Sequence, residues 1–569
     1  MSEPKPRRAT DRAPLRVGLM LDSYRQPAWV RRMIERIEAE PYADIVVIVR
    51  PAESSAGDVR GGWAARLSSY WRSRKYLLHA LFGRLDRRRE VTGPDAFEVS
   101  DVSDLLADVS MIEVSPRRTR FSDYFPDEDI AAVRDQDLDV LVRLGFRILR
   151  GDILRAARGG VWSFHHGDNR VNRGGPAGFW EVLLEWPCTG SILQVLNEDL
   201  DGGLVLDRSW ASTHPVSVRA NRNSYFWKSL SMLPRRLEQL HRLGHDDFFA
   251  FHESRQDRPG FYSQRLFLTP TNRELFVPMS RLYGRLLRRK VEQAFILPQW
   301  ELRYRLGEGF GSSLWRMKRL VPPGDRFWAD PHIVWRDGRA HVFLEEFLYD
   351  ERRGRIAVLT FDEDGRPSEP VPVLERPYHL SYPCIFEYDD QLFMIPETSA
   401  ARTIELYRCD AFPHRWSLER VIMKDLLAVD ATILEHDGRW WMFVGIRENE
   451  GASPNDELFA FHAVDPVSGE WTPHRENPIV SDVRRARPGG SFIRWDGELY
   501  RPAQDCARSY GWGIRIQRVT RLTPTDYREE EVSVIEPAFS PEVEAVHTIA
   551  HAPGVTVIDA RVRRRRPAR

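Results

Sequence analysis

Ser163, His165, His166, Asp168 and Arg173 crowd the end of a short apolar run, VWSF (161–164), and Asp201-Gly202-Gly203 follows downstream. These residue types move protons and hold charge. A carboxylate beside an imidazole raises its pKa and favours the cation, a good donor to oxygen that becomes negative during acyl transfer. His165 and His166 could begin a metal site, but no third ligand follows at a convincing spacing, so no metal is expected. A second set lies in the other half of the chain: WADPHIVWRDG, SYPCIFEYDD, VDATILEHDG, RPGGSFIRWDG and VHTIAHAPG. Each puts a small or polar cluster ahead of a strand, with Asp330, Tyr382, Asp430, Arg487 and His547 as markers.

The elements that must position the first set read as a βαβ pattern. LRVGLMLDS (15–23) and YADIVVIVR (42–50) are continuous apolar strands. AWVRRMIERIEAE (28–40) carries Trp29, Met33, Ile34 and Ile37 on one helical face. Strands of this kind predict a parallel sheet covered on both sides. Further elements follow at 137–149, 152–158 and 161–164. Segment 60–90, with Trp63, Leu67, Tyr70, Trp71, Tyr76, Leu77 and Leu81, is basic and amphipathic. It could lie on a membrane surface, and reads in preference as an excursion packed on the sheet with a solvated arginine face.

The passage 138–206 is similar to the folate-dependent formyltransferase family, which includes methionyl-tRNA and sugar-nucleotide formyltransferases. His165, Arg173-Gly174 and Asp201-Gly202-Gly203 fall on that family's His, Arg-Gly and Asp-x-Gly, while its Asn is Ser163 here. The resemblance implies an α/β Rossmann-like domain over 15–265 that moves a formyl group from 10-formyltetrahydrofolate, as co-substrate, to the amine of an amino sugar or sugar nucleotide. Under it, Ser163, His165 and Asp201 are catalytic. Asp201 orients His165, and Ser163 is an auxiliary donor. Phe146, Ile148, Leu149, Leu200 and Gly202 bind the folate, and His166, Asp168 and Arg173 shape the acceptor pocket.

After a helical connector (266–300, with MSRLYGRLLRRKVEQAF at 279–295) the period changes to short alternating strands split by Asp337-Gly338, Asp364-Gly365, Asp389-Asp390, Asp437-Gly438 and Asp496-Gly497. These are hairpin signals. Five markers at intervals of 48 to 60 residues predict a five-bladed β-propeller over 301–560, the markers meeting at the central channel. Trp328-Ala329-Asp330-Pro331 resembles the first-blade signature of five-bladed glycoside-hydrolase propellers. It also resembles the propeller at the N-terminus of plant glucosamine inositolphosphorylceramide transferases. The fourth marker supplies Arg487 where those hydrolases place an acid; Glu345, Glu346 or Glu397 could substitute. The propeller is therefore expected to bind sugar through Asp330, Asp430 and Arg487, with Arg501, Gln504 and His547, and with Trp328 or Tyr382 stacking. The alternatives are a propeller-based glycosidase or glycosyl-transferring enzyme, or a non-catalytic sugar-recognition protein.

The bulk numbers bound these readings. Lys+Arg and Asp+Glu are both 83, so net charge favours no nucleic-acid partner. Cys188, Cys384, Cys409 and Cys506 are scattered, which argues against a disulfide framework. VGLML is too short for a signal core, and no run approaches the about 20 apolar residues of a membrane span. The expected setting is cytoplasmic, with polar residues 1–14 and basic residues 561–569 as tails.

Overall fold

The computed structural model describes residues 12–52, 74–256, 261–311 and 313–565. Trp63, Leu67, Tyr70 and Trp71, on which part of the amphipathic reading rests, lie outside the described residues. The chain forms two compact units, Met1–Gly284 with Asn449–Ala452, and Arg285–Glu448 with Ser453–Arg569.

The first unit is built on seven strands: β1 (Leu15–Met20), β2 (Ala43–Pro51), β3 (Ser110–Val114), β4 (Val140–Arg143), β5 (Val161–His165), β6 (Cys188–Val195) and β7 (Leu204–Ser212). They pair in the order β7-β6-β5-β4-β1-β2-β3. Helix α1 (Ala28–Glu38) lays Trp29, Val30, Met33, Ile34 and Ile37 against the sheet. At roughly 2 kcal/mol per buried side chain, that face contributes on the order of 10 kcal/mol before entropy is charged. The longer helices that follow are α2 (Leu77–Asp86), α3 (Val218–Ser229), α4 (Met232–Leu243) and α5 (His245–Ser254), and α6 (Asn272–Phe295) begins in this unit.

The expected Rossmann-like formyltransferase domain is corrected here. Only β3, β2, β1, β4 and β5 run parallel; β6 and β7 are antiparallel. The reason is the connections. β5 reaches β6 through loop and one five-residue helix, Phe179–Leu183, too short for a crossover, and β6 turns into β7 through a hairpin loop. Apolar runs alone do not show strand direction.

The second unit consists of successive four-stranded antiparallel sheets, a β-propeller. Blade I spans Arg326–Leu374, blade II Ser381–Lys424, blade III Leu427–Pro473 and blade IV Ile493–Ile535. Blade V joins the two ends of the unit. Ile296–Leu306 pairs along its whole length with Val555–Arg565, a strand that runs through part of the basic segment read as a tail. This pairing closes the ring and removes the edges that an open sheet would expose. The hairpins turn where the sequence marks them. Asp337-Gly338, Asp389-Asp390, Asp437-Gly438 and Asp496-Gly497 all have positive φ at both positions, the primed-turn geometry that fits strand twist.

Candidate functional site

In the first unit, β5 delivers Ser163 and His165 to its C-terminal end. His165 Nδ1 stands 3.3 Å from Asp201 Oδ2, and Nε2–H donates to the Asn172 carbonyl at 2.7 Å. Gln194 donates to Asp201 Oδ1 at 3.2 Å, and Asn169 to the Asp201 carbonyl at 2.8 Å. Gly203 is required behind this loop, since a Cβ there would stand 1.9 Å from the Val195 carbonyl oxygen.

The other predicted residues are otherwise engaged. Ser163 is buried, accepting from Arg143 Nε at 3.0 Å and donating to the Phe164 carbonyl. His166 stacks 3.6 Å from Phe226 and packs on Trp29, so burial pushes its pKa well below normal and keeps it neutral inside an aromatic cluster. Asp168 is held by Arg208 and by Trp210 Nε1 at 3.0 Å. Arg173 binds the Asn169 carbonyl at 2.8 Å and lies over Tyr262. Leu149 is core, and Phe146 packs on the same cluster through Phe125, so they do not form an open slot. Ile148 and Leu200 are half-buried, as is Gly202, whose carbonyl takes a bond from Asn197. Glu181, missed in the sequence, is buried beside Asn172, and burial raises its pKa.

The propeller brings its markers together. Asp330, Tyr382 and Asp430 all have positive φ, at 52°, 45° and 53°, and each lies within a β-bulge where the register of its hairpin slips. Aspartate tolerates that conformation; tyrosine rarely does. The bulge re-aims these side chains out of the strand alternation, a device common beside functional sites. Gly490 permits the fourth approach, because a Cβ there would stand 2.0 Å from the Ile549 carbonyl oxygen.

Every blade contributes to one buried cluster. Arg487 grips Asp430 through two bonds, Nε–Oδ2 at 2.6 Å and Nη2–Oδ1 at 3.0 Å, and reaches Glu397 Oε2 at 3.2 Å. Gln504 donates to Asp430 Oδ2 at 2.7 Å, and Gly490 N donates to the Tyr382 hydroxyl at 2.9 Å. His547 lies between Asp559, with Nδ1–Oδ2 at 2.7 Å, and Asp330, with Nε2–Oδ1 at 3.3 Å, and its ring stacks on Trp300. Tyr510 edges onto His547 and lies under Arg487, yet is 41% exposed, an aromatic face offered to solvent at the edge of the cluster.

Burial and charge split the carboxyl groups into two kinds. Burial, with Asp559 and Glu397 nearby, pushes Asp330 up to about 6 against the pull of His547 and Arg487. Burial beside Asp330 and Glu397 pushes Glu345 well above the carboxylate range. Against burial, Arg487 holds Glu397 low, and His547 holds Asp559 low. Asp559 and Asp330 in turn raise His547 despite its burial. Glu345 Oε1 also lies 3.5 Å from Nε2 of the half-buried His379. Glu346 points to the opposite face, paired with Arg326 and Arg355.

Arg501 and Trp328, read as ligands, lie elsewhere. Arg501 is bound to Glu529, and Trp328 packs between strands with Nε1 on Glu346. Asp559 and Tyr510 were missed, although an aspartate inside the apolar strand VTVIDARV is a signal of a paired buried charge. Asp330, His547 and Asp559 also place three ligand atoms within 4.8 Å of one another. Asp559, however, already accepts from the backbone N–H of Asp330, His547 and Thr548, so its lone pairs are committed to closing the ring.

Residues 321–541 match the family model described as "Glucosamine inositolphosphorylceramide transferase 1, N-terminal". The glucosamine inositolphosphorylceramide transferase 1 of Arabidopsis thaliana is 36% identical over 209 residues, 36% of this chain and 27% of that protein. The protein of the same name from Oryza sativa subsp. japonica is 32% identical over 211 residues, 37% of this chain and 28% of that one. The chain thus spans just over a quarter of the length of these curated relatives. Among solved structures, the family 117 glycoside hydrolase Zg3597 of Zobellia galactanivorans aligns at 11% identity and a TM-score of 0.32, over 46% of this chain and 90% of its own. The relatives matched by sequence overturn the formyltransferase expectation and, with it, 10-formyltetrahydrofolate as co-substrate. The matching relatives are named as glucosamine inositolphosphorylceramide transferases, and Leu149 is core, with the half-buried Phe146 packed against it, where folate was expected.

Proposed function

We propose that the chain transfers a glycosyl group at the centre of its propeller, and that Asp330 and Glu345 carry the chemistry. Breaking a glycosidic bond takes one carboxylic acid to protonate the leaving oxygen and one carboxylate to act as base or nucleophile. One observation carries the reading: Glu345 is held protonated while Asp330, poised near pH 6, is ionised at neutral pH. Arg487 and Gln504 fix Asp430, which lends them a charged scaffold for sugar hydroxyls, and Tyr510 offers a face for a sugar ring to stack on. The names of the relatives support a saccharide joined to a lipid as the substrate class. The test is turnover of nucleotide sugars and aryl glycosides by the intact chain across pH. A rate that rises as Asp330 deprotonates near pH 6 and falls as Glu345 ionises is expected, with Glu345→Gln removing the upper limb along with most of the rate.

A second reading, saccharide recognition without turnover, draws on Arg487 standing at the fourth marker, where it occupies both Asp430 and Glu397. It predicts glycan binding by the intact chain that Tyr510→Ala weakens, with no bond cleavage.

A further inference from the structure

In the first unit, β7 is an outer strand of the sheet, and α4 and α5 pack against it. Gln256, just past the end of α5, fastens helix to strand with its side-chain amide. Its Oε1 accepts from Val205 N at 3.2 Å, and its Nε2 donates to the Val205 carbonyl at 2.9 Å. The amide satisfies the strand edge where no neighbouring strand does. Between β7 and these helices lies a cavity of about 250 Å³, walled by residues of this unit alone.

The charge around it is one-sided. Arg170, Arg208, Arg236 and Arg255 line it, against one lining carboxylate, Asp207. Asp207 pairs with Arg236, through Nε at 3.1 Å and Nη2 at 3.0 Å. Arg208 is held by Asp168 and by Asn169 Oδ1 at 2.9 Å. Counting Asp168, two carboxylates stand against four guanidinium groups. His252 adds no charge, because burial, with Arg236 and Arg255 nearby, pushes its pKa down to about 3. The negative end of α5 is covered as well. The Phe251 carbonyl accepts from the Ser254 hydroxyl at 2.8 Å, and that of His252 from Gln256 Nε2 at 3.0 Å and Arg255 N at 3.2 Å. Arg170 and Arg255 are exposed, so an anion meets them from solvent, and Arg255 lies 3.9 Å over the Phe251 ring.

We propose that this cavity binds a small phosphate monoester, its phosphate set among the four arginines. A guanidinium offers two parallel N–H donors that match a pair of phosphate oxygens, which a compact ammonium does not, and every cation here is an arginine. The cavity is smaller than the roughly 300–1,000 Å³ of drug-sized sites, which suits a phosphorylated compound of a few carbons and not a nucleotide. The site is independent of the propeller chemistry and of the His165–Asp201 pair.

The test is calorimetric titration of the intact chain with glycerol 3-phosphate, glycerol and malonate. Glycerol 3-phosphate should bind with a dissociation constant below about 1 mM, malonate at least tenfold more weakly, and glycerol not at all. Arg170→Ala with Arg255→Ala, both exposed positions, should weaken glycerol 3-phosphate at least tenfold with the unfolding temperature of the unliganded chain unchanged. Arg255→Lys, which keeps the charge and gives up the fork, should weaken it at least threefold. No binding of glycerol 3-phosphate, equal affinity for malonate, or an affinity that these variants leave unchanged overturns the proposal.

Discussion

Asp559→Asn is the most demanding perturbation of the propeller. The Asp559 carboxylate accepts the backbone N–H groups of His547 at 3.0 Å and Thr548 at 2.9 Å on one oxygen. On the other it takes the Asp330 N–H at 3.0 Å and the Thr548 hydroxyl. His547 Nδ1 lies 2.7 Å away. An amide has one acceptor oxygen, so the NH2 end must face donors whichever way the side chain turns. Orphaning buried donors costs about 1–3 kcal/mol each, and a broken buried ion pair about 3–5 kcal/mol. A net loss of about 4 kcal/mol is expected, or a fall of roughly 10 °C in the midpoint of the propeller transition at about 2–4 °C per kcal/mol.

The pH dependence has a definite sign. Asp559 is held below its unfolded pKa, so its stabilisation is present above the ordinary carboxylate range and is lost as pH falls through the folded value. Asp559→Asn should therefore flatten the acid limb of the stability curve. The assay is thermal unfolding of the full chain followed by tryptophan fluorescence, together with hydrogen exchange at the amides of Asp330, His547 and Thr548. A shift below about 0.5 kcal/mol, with those amides still protected, would refute the view that this carboxylate closes the ring.

Three further outcomes follow from the same cluster. Asp330→Asn removes a buried carboxyl whose pKa of about 6 makes its ionisation costly at neutral pH. At pH 7.5 the variant should be more stable by about 3 kcal/mol, since one pKa unit is worth about 1.4 kcal/mol, and denaturant titration checks this. Glu345 has a raised folded pKa, so its stabilisation is full below the unfolded value and fades as pH rises through the folded one; Glu345→Gln should abolish that alkaline loss in a thermal scan from pH 6 to pH 9. Arg487→Met strands Asp430 and Glu397 without their cation and should cost about 3–5 kcal/mol. Adding Asp430→Asn should restore part of it, read as a double-mutant cycle.

The propeller was legible because its signals are local. Asp-Gly turns require positive φ, alternation marks half-buried strands, and the recurring clusters mark blade starts. What stayed hidden was which residues turn inward. The bulges at Asp330, Tyr382 and Asp430 reset the alternation, Arg501 faces the opposite side of its strand from Gln504, and Tyr510 lies in a loop with no period. In the first unit the pairing of His165 with Asp201 could be anticipated from two short motifs. Strand direction could not, because the apolar runs of β5 and β6 look alike whichever way they run. Nor could the burial of His166 and Leu149, which depends on rings and chains that arrive from distant segments, Phe226 and Phe125 among them.

Glycosyl turnover by Asp330→Asn and His165→Ala, measured side by side on the intact chain, tests the account most directly. The account predicts a loss of at least a hundredfold in the Asp330 variant, with unfolding no easier than in the parent, and a near-parental rate in the His165 variant. Turnover that survives in the Asp330 variant and disappears with His165 would place the chemistry in the first unit and contradict it.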